Sequence, residues 1–262
     1  MDKKYIVSYS GGKDSTAMIL LMLEKNIPIH KIIHIKTGKE FPFVADSVER
    51  MKEYIKPFEV EEYSFDLEYW MTKRQRIKGS RKGEYGFGWP TVKNRWCTGV
   101  KIAAMNNGII YGEYDQFKTG LSQPNIAKLL NPHEYRILIG MATNKIKRIG
   151  TDPLVSYPLI IWDKNGREAL STCYRHGFTY DGWYDKYGIA SCYCCPLQPI
   201  DALKMSYKYF PDLWNDIRRL EGLITYNKFK PKIDLDNLQK KFDDELELER
   251  ILQYNSCFDG RD

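Results

Sequence analysis

Ser10-Gly11-Gly12-Lys13-Asp14-Ser15 stands between an apolar β-like run, Tyr5-Ile6-Val7, and an amphipathic helical run from Thr16 to Leu23. A phosphate-cradling loop belongs in that position. Adjacent glycines let the backbone approach an anion with no Cβ in the way, so that successive N–H groups and the helix N-terminus can face it. Ser15 is placed to cap the helix, and Lys13 to supply a mobile positive charge. The spacing fits neither the Walker loop, whose glycines stand further apart before a Gly-Lys-Ser/Thr end, nor the dinucleotide fingerprint. An ordinary glycine-rich βα turn is the plainer reading, and the agreement of strand, loop and helix argues against it.

Outward from the loop, the first helix closes near Asn26-Ile27-Pro28, and Lys31 to Ile35 forms a second β-branched run that stops at Thr37-Gly38. That βαβ unit predicts a right-handed crossover and a parallel pair, with ligands bound beyond the carboxyl ends of the strands, where both the loop and Thr37-Gly38 lie. Further elements are a helix from Phe43 to Tyr54, a strand over Phe58 to Phe65, a helix starting just after Cys97 and running through Met105, and a buried strand over Arg136 to Met141. Ser156 to Trp162 reads as a short extended edge or turn. Helical periodicity returns over Arg167 to Tyr174, Pro199 to Tyr209, Asp212 to Leu220 and Leu235 to Leu252. The expected fold is α/β: a doubly wound, mostly parallel sheet with a helical C-terminal region, divided as a nucleotide-binding domain over 1–220 that carries the cysteines and a helical tail over 221–262. From Trp70 to Trp96 the pattern breaks, with Lys73, Arg74, Arg76, Lys78, Arg81 and Lys82 followed by Gly83, Gly86, Gly88 and Pro90. The stretch reads as a mobile basic insertion, either a solvated charged face or a contact for a phosphate-bearing substrate.

The chain has 262 residues, 43% hydrophobic and 28% charged, with a formal net charge of +6. That charge suits an anionic ligand such as a nucleotide and is too mild to establish nucleic-acid binding. No apolar stretch approaches the roughly 18 residues needed to span a bilayer, and Met1-Asp2-Lys3-Lys4 leads straight into the first strand, so a cytoplasmic protein is expected. Three of the six cysteines crowd into Ser191-Cys192-Tyr193-Cys194-Cys195-Pro196, while Cys97, Cys173 and Cys257 are scattered. Such crowding points away from a disulfide framework and toward metal or redox chemistry. Cys192-x-x-Cys195 has the spacing by which two thiolates from one turn hold one metal. Cys97 stands at a helix start, where the helix dipole and Lys101 one turn on favour a thiolate. The four histidines, His30, His34, His133 and His176, do not make a histidine-rich zinc centre.

The loop resembles the Ser-Gly-Gly-x-Asp-Ser loop of the PP-loop ATP pyrophosphatase superfamily. With Thr37-Gly38-Lys39-Glu40-Phe41-Pro42, the Cys97-x-x-x-Lys101 spacing and the Cys192/Cys195 pair, the chain is similar to the phosphoadenosine phosphosulfate reductase family over about residues 5–220. The resemblance implies an adenine nucleotide alpha hydrolase-like fold that binds ATP or a sulfonucleotide, with magnesium, on Ser10, Gly11, Gly12, Lys13, Asp14, Ser15, Thr37 and Gly38. It implies three ligands of a 4Fe-4S iron-sulfur cluster, Cys97, Cys192 and Cys195, with the fourth from Cys194, Cys173, Cys257 or a non-protein group. Trp96 stands where the family's iron-sulfur members carry another cysteine. A cysteine-bound zinc stays open, since thiolates suit both. The catalytic candidates are Lys13, Asp14, to orient the loop or hold magnesium, and Lys101, to neutralise the thiolates and reach the nucleotide.

Three departures separate the chain from the family's reductases. The C-terminal Glu-Cys-Gly-Leu-His motif is absent, Cys257 lying in Asn255-Ser256-Cys257-Phe258-Asp259; Gly140-Met141-Ala142-Thr143-Asn144-Lys145 lacks the Arg and acidic residue of Gly-Ile-Arg-x-x-Glu; and Lys36 replaces an acidic residue before Thr37. Three functions follow as expectations: an adenylylating or sulfur-transferring enzyme with a cysteine-bound centre, a sulfonucleotide reductase making sulfite, or a nucleotide-sensing or nucleic-acid-binding module without turnover. The expected partners are an adenine nucleotide, a nucleic-acid or small-molecule acceptor, and a sulfur or electron donor protein, with no membrane.

Overall fold

The computed structural model describes residues 3–77, 79–111, 131–148, 151–188 and 192–258. Lys78 and Ser191 fall outside them, as does the side chain of Cys257. The chain forms two compact units, one of residues 1–67 and 96–192, the other of 68–95 and 193–262.

The first unit is built on five parallel strands, β1 (Lys4–Tyr9), β2 (Lys31–Lys36), β3 (Val60–Ser64), β4 (Tyr135–Ile139) and β5 (Val155–Ser156), in the order β3-β2-β1-β4-β5. The central strand is covered on both faces, which is why Ile6 and Val7 are adjacent and both apolar. Ile6, Ile33 and Ile137 meet Met105, Leu154 and Tyr63 in one core cluster. Helix α1 (Lys13–Glu24) is buried from Asp14 to Met22, and α2 (Pro42–Tyr54) starts with proline in its first turn, where the missing N–H costs nothing. The chain winds outward from β1 through β2 to β3, then returns to β1's other side at β4. That reversal opens a crevice at the carboxyl ends of β1 and β4, the switch point at which such sheets bind ligands.

Helix α3 (Leu67–Thr72) starts at the boundary, and α4 (Trp96–Tyr111) returns the chain to the first unit, beginning one residue before Cys97 rather than after it. The stretch expected as a short extended edge or turn over Ser156 to Trp162 is the end of a two-residue strand followed by a helical turn, α5 (Pro158–Ile161), because Pro158 occupies the first helical position, where its fixed φ is helical. Helix α6 (Gly166–Arg175) is opened by a capping box between Asn165 and Glu168 and packs on α1. The short α7 (Trp183–Tyr187) completes this unit.

In the second unit, helices α8 (Ile200–Tyr209), α9 (Pro211–Leu223) and α10 (Leu235–Phe258) gather Tyr207, Trp214 and Phe242 into one aromatic cluster. The basic insertion, expected to lack structure, folds back on itself. Arg76 N–H donates to Glu84 O, Gly83 N–H to Arg76 O and Gly86 N–H to Arg74 O, around an antiparallel bridge between Gln75 and Tyr85. Trp89, 2% exposed, anchors it: its indole N–H donates to Glu221 at 2.5 Å, and its backbone exchanges hydrogen bonds with the Asn227 side chain. The turn is held by backbone pairing and by the bonds of its own Trp89 to distant Glu221 and Asn227, so no alternation of side chains announced it.

Candidate nucleotide site and cysteine edge

Gly12, not Ser15, is the N-cap of α1. Ser15 lies in the first turn, where its hydroxyl accepts from Ser10 N–H at 3.2 Å and donates to Gly12 O at 2.9 Å, tying the loop across its own mouth. Ser10 Oγ is 3.0 Å from the same hydroxyl. Gly11 has φ +74, and a Cβ there would stand 2.8 Å from Val48 and 2.9 Å from Val44, so the turn requires glycine twice over. Gly140, at the end of β4, is needed for a different reason: a Cβ would lie 2.5 Å from Ser15 Cα and 2.6 Å from Ser15 N. The close approach of two backbones at the switch point places the loop.

Lys13, expected to be mobile, is engaged. Its ammonium meets Asp14 at 2.5 Å and the Gly166 carbonyl at 2.9 Å, while its amide donates to the Tyr184 hydroxyl at 2.9 Å. Asp14 also receives the Lys145 ammonium at 2.6 Å. Burial opposes ionisation of Asp14, but the Lys13 and Lys145 charges outweigh it and hold the carboxyl below its ordinary range.

Across the crevice, Thr37 gives both its N–H and its hydroxyl to Glu40, at 2.7 and 2.5 Å. Burial would raise the Glu40 carboxyl, and those Thr37 hydrogen bonds outweigh it and lower it. Gly38 turns beside them with φ +72. The backbone of Glu40 bridges that of Cys192, whose sulfur lies 3.7 Å from Thr37 Oγ1 and 3.8 Å from Lys101 Nζ. Lys101 is half-buried, and desolvation of its ammonium disfavours its charge, yet Cys192, Glu40 and Cys97 around it raise its pKa. Burial pushes the Cys97 thiol up and neighbouring Cys192 adds to that, while Lys101 pulls it down.

Ser10 and Gly12 at one end and Lys101 and Cys192 at the other line a single cavity of about 200 Å³ over the carboxyl ends of the central strands. Cys173 is elsewhere: it sits fully buried on α6, donates to the Lys13 carbonyl at 3.2 Å, and is pushed up to about 12 by burial. It is packed as a small hydrophobe beneath the loop. His34 is buried on β2 with Nδ1 3.0 Å from Tyr9 O. In the second unit, Cys194 is buried and Cys195 half-buried in the turn after Cys192.

The donor set suits a thiolate-bound centre, since a desolvated ammonium faces Cys192 and Cys97, and Cys192-x-x-Cys195 allows two thiolates to share a metal. Among the described residues, no group of three His, Cys, Asp or Glu is arranged to hold a metal ion. Among them, no helix is long and apolar enough to cross a membrane. Tyr184, Lys145, Glu40 and the steric role of Gly140 are parts of the site that the sequence reading left unassigned. Gly140 ends an apolar strand, which signals close backbone approach; Tyr184 carries no local signal.

A doubly wound parallel sheet with a glycine-rich loop at its switch point is a frame on which α/β proteins bind ligands beyond the strand ends. Residues 4–136, just over half of the chain, match the model of the phosphoadenosine phosphosulfate reductase domain, and the chain belongs to that family. No curated protein matches it. Among solved structures, it is similar to the U34-tRNA thiolase NcsA from Methanococcus maripaludis with its 4Fe-4S cluster, at 16% identity and a TM-score of 0.40, covering 87% of this chain and 73% of that one.

Proposed function

We propose that the protein is a PP-loop enzyme that binds ATP on Ser10 to Ser15 and activates an acceptor by adenylylation, with sulfur transfer to the activated acceptor following. The observation that carries this is the shared cavity: loop residues Ser10 and Gly12 and the pair Lys101 and Cys192 border the same space. Phosphates rest against the loop amides and the N-terminus of α1, with Thr37 and Gly38 forming the facing wall. Asp14 holds Lys13 and Lys145 beside the loop, so its role is to fix two positive charges for a polyphosphate, with magnesium sharing the charge. An acceptor oxygen forms a bond to the α-phosphorus, the bond to the bridging oxygen breaks, and pyrophosphate leaves. Hydrosulfide then forms the bond to the acceptor carbon as AMP departs.

Cys97, Cys192 and Cys195, with Cys194 as the fourth, are the proposed ligands of a cysteine-bound centre, iron-sulfur or zinc. When bound, such a centre holds thiolates and sulfur in a fixed place. Lys101 neutralises the thiolate edge and faces the nucleotide end.

Calorimetry with ATP, combined with pyrophosphate release on adding acceptors and metal analysis of anaerobically purified protein, tests this. Heat with ATP, its loss in Gly12→Val, and pyrophosphate release are expected. Absence of heat with any adenosine derivative overturns it. The family favours a second reading, reduction of a sulfonucleotide. Sulfite formed from phosphoadenosine phosphosulfate without pyrophosphate release from ATP would select it.

A further inference from the structure

The chain's positive charge is concentrated in one place. Residues 68–95 hold eight Lys and Arg against two Asp and Glu, a net +6 that equals the formal charge of the whole protein, so the remainder is neutral. The rest of the second unit, residues 193–262, is net −2, with eleven basic against thirteen acidic residues. A solvated face usually carries both signs in similar number; here basic residues outnumber acidic ones eight to two.

The segment also carries exposed planar side chains among the charges. Tyr85 is 68% exposed, Tyr226 50% and Tyr69 38%. Both Arg76 and Arg81 lie over the Tyr226 ring, at 5.0 and 3.3 Å from its centroid, and Arg74 lies over Trp70 at 5.2 Å. Arg76 is committed to the turn through Gly86 O and Phe87 O. Arg81 pairs with Glu84 but keeps its buried Nη1 without an acceptor. Lys73, Lys82, Lys93 and Arg95 are exposed. Guanidinium and ammonium groups interleaved with accessible rings match a strand that alternates phosphates with flat bases. An acidic peptide would match the charges and leave the rings unused.

We propose that the turn over residues 71–77 and 79–95, with Tyr226, binds a single-stranded polynucleotide: the exposed Lys73 and Lys82 take phosphates and Tyr85 stacks on a base. This goes beyond the nucleotide site and does not depend on it.

The test is fluorescence anisotropy of the full chain with a labelled single-stranded RNA of about 20 nucleotides, with single-stranded DNA and the duplex of the same sequence as parallel arms. Binding is expected to weaken as salt rises from about 50 to about 200 mM, and Lys73→Glu/Lys82→Glu to weaken it about tenfold or more and flatten the salt slope by about 1.4, the amount for two lost phosphate contacts on a single strand. Tyr85→Ala should weaken single-strand binding by about fivefold or more. Lys240→Glu/Lys241→Glu makes the same charge change on exposed residues of α10 and should leave binding within about twofold. RNA and DNA arms that both respond support a backbone-and-base surface; one that responds alone names the strand. The proposal is overturned if the two double variants weaken binding equally, if polyglutamate competes as well as the RNA does, or if the duplex binds as tightly and Tyr85→Ala is silent.

Discussion

The two lysines that border the first unit's site are held in opposite ways. Lys13 spends its charge on a neighbour in sequence, Asp14, and on the Gly166 carbonyl, and Asp14 draws in Lys145 as well. Lys101 is half-buried against a sulfur, with Cys192 at 3.8 Å, against Glu40 from another element and against Cys97 one turn earlier on its own helix. At the loop end, carboxylate and ammonium are matched within the protein, and that end is built to stay put. At the cysteine end, a half-buried cation faces groups whose charge depends on what they bind. The difference teaches that the loop is as much a folded scaffold element as a candidate ligand site.

The hardest blow to the loop end is Gly140→Val. The new side chain meets the backbone of Ser15, which cannot move without displacing α1, so a loss at or above the usual 1–3 kcal/mol for overpacking is expected, read as a large fall in melting temperature together with lost nucleotide binding. A variant that melts near wild type would show that the loop is not wedged against β4.

Asp14→Asn comes next. It leaves Lys13 and Lys145 without their shared carboxylate; breaking a buried pair costs about 3–5 kcal/mol, and the 38% exposure of the Lys145 side chain brings the expected loss to about 2 kcal/mol. Because the folded carboxyl titrates below its ordinary value of 3.8, its contribution is fully present above about pH 4 and is lost as pH falls through the lower folded value. Urea midpoints of wild type and variant should therefore differ at neutral pH and converge toward pH 3. Equal midpoints at pH 7 would make Asp14 a ligand residue without a structural share.

At the cysteine end the expected signature is reversed, with function falling more than stability. Lys101→Met keeps the buried stem and removes the charge, so unfolding should shift by less than about 1.5 kcal/mol while pyrophosphate release falls by about tenfold or more. A variant that loses stability and keeps its activity would erase the contrast between the two ends.

The smallest effect belongs to Cys173→Ala. A buried thiol treated as a small hydrophobe is worth about 1 kcal/mol, and metal content per chain should not change, whereas Cys192→Ser should lower it. Loss of metal from the Cys173 variant would move that residue from packing into the metal centre.

Ser10 to Ser15, the apolar run before it and the helical periodicity after it determined the fold class and the place of the loop, because a βα turn with two glycines is a local object whose strand, turn and helix signals lie within about 20 residues of each other. The same holds for α2 behind Pro42 and for the C-terminal helices, whose apolar spacing is local. The tertiary structure decided what those residues do together: that Ser15 ties the loop where Gly12 caps the helix, that Lys145 and Tyr184 reach it from far along the chain, and that Cys173 packs beneath it. It also decided that Trp89 turns a basic, pattern-free stretch into a folded turn through Glu221, some 132 positions away. Such contacts depend on which elements pack side by side, and a pairing between distant residues leaves no periodic trace in either segment.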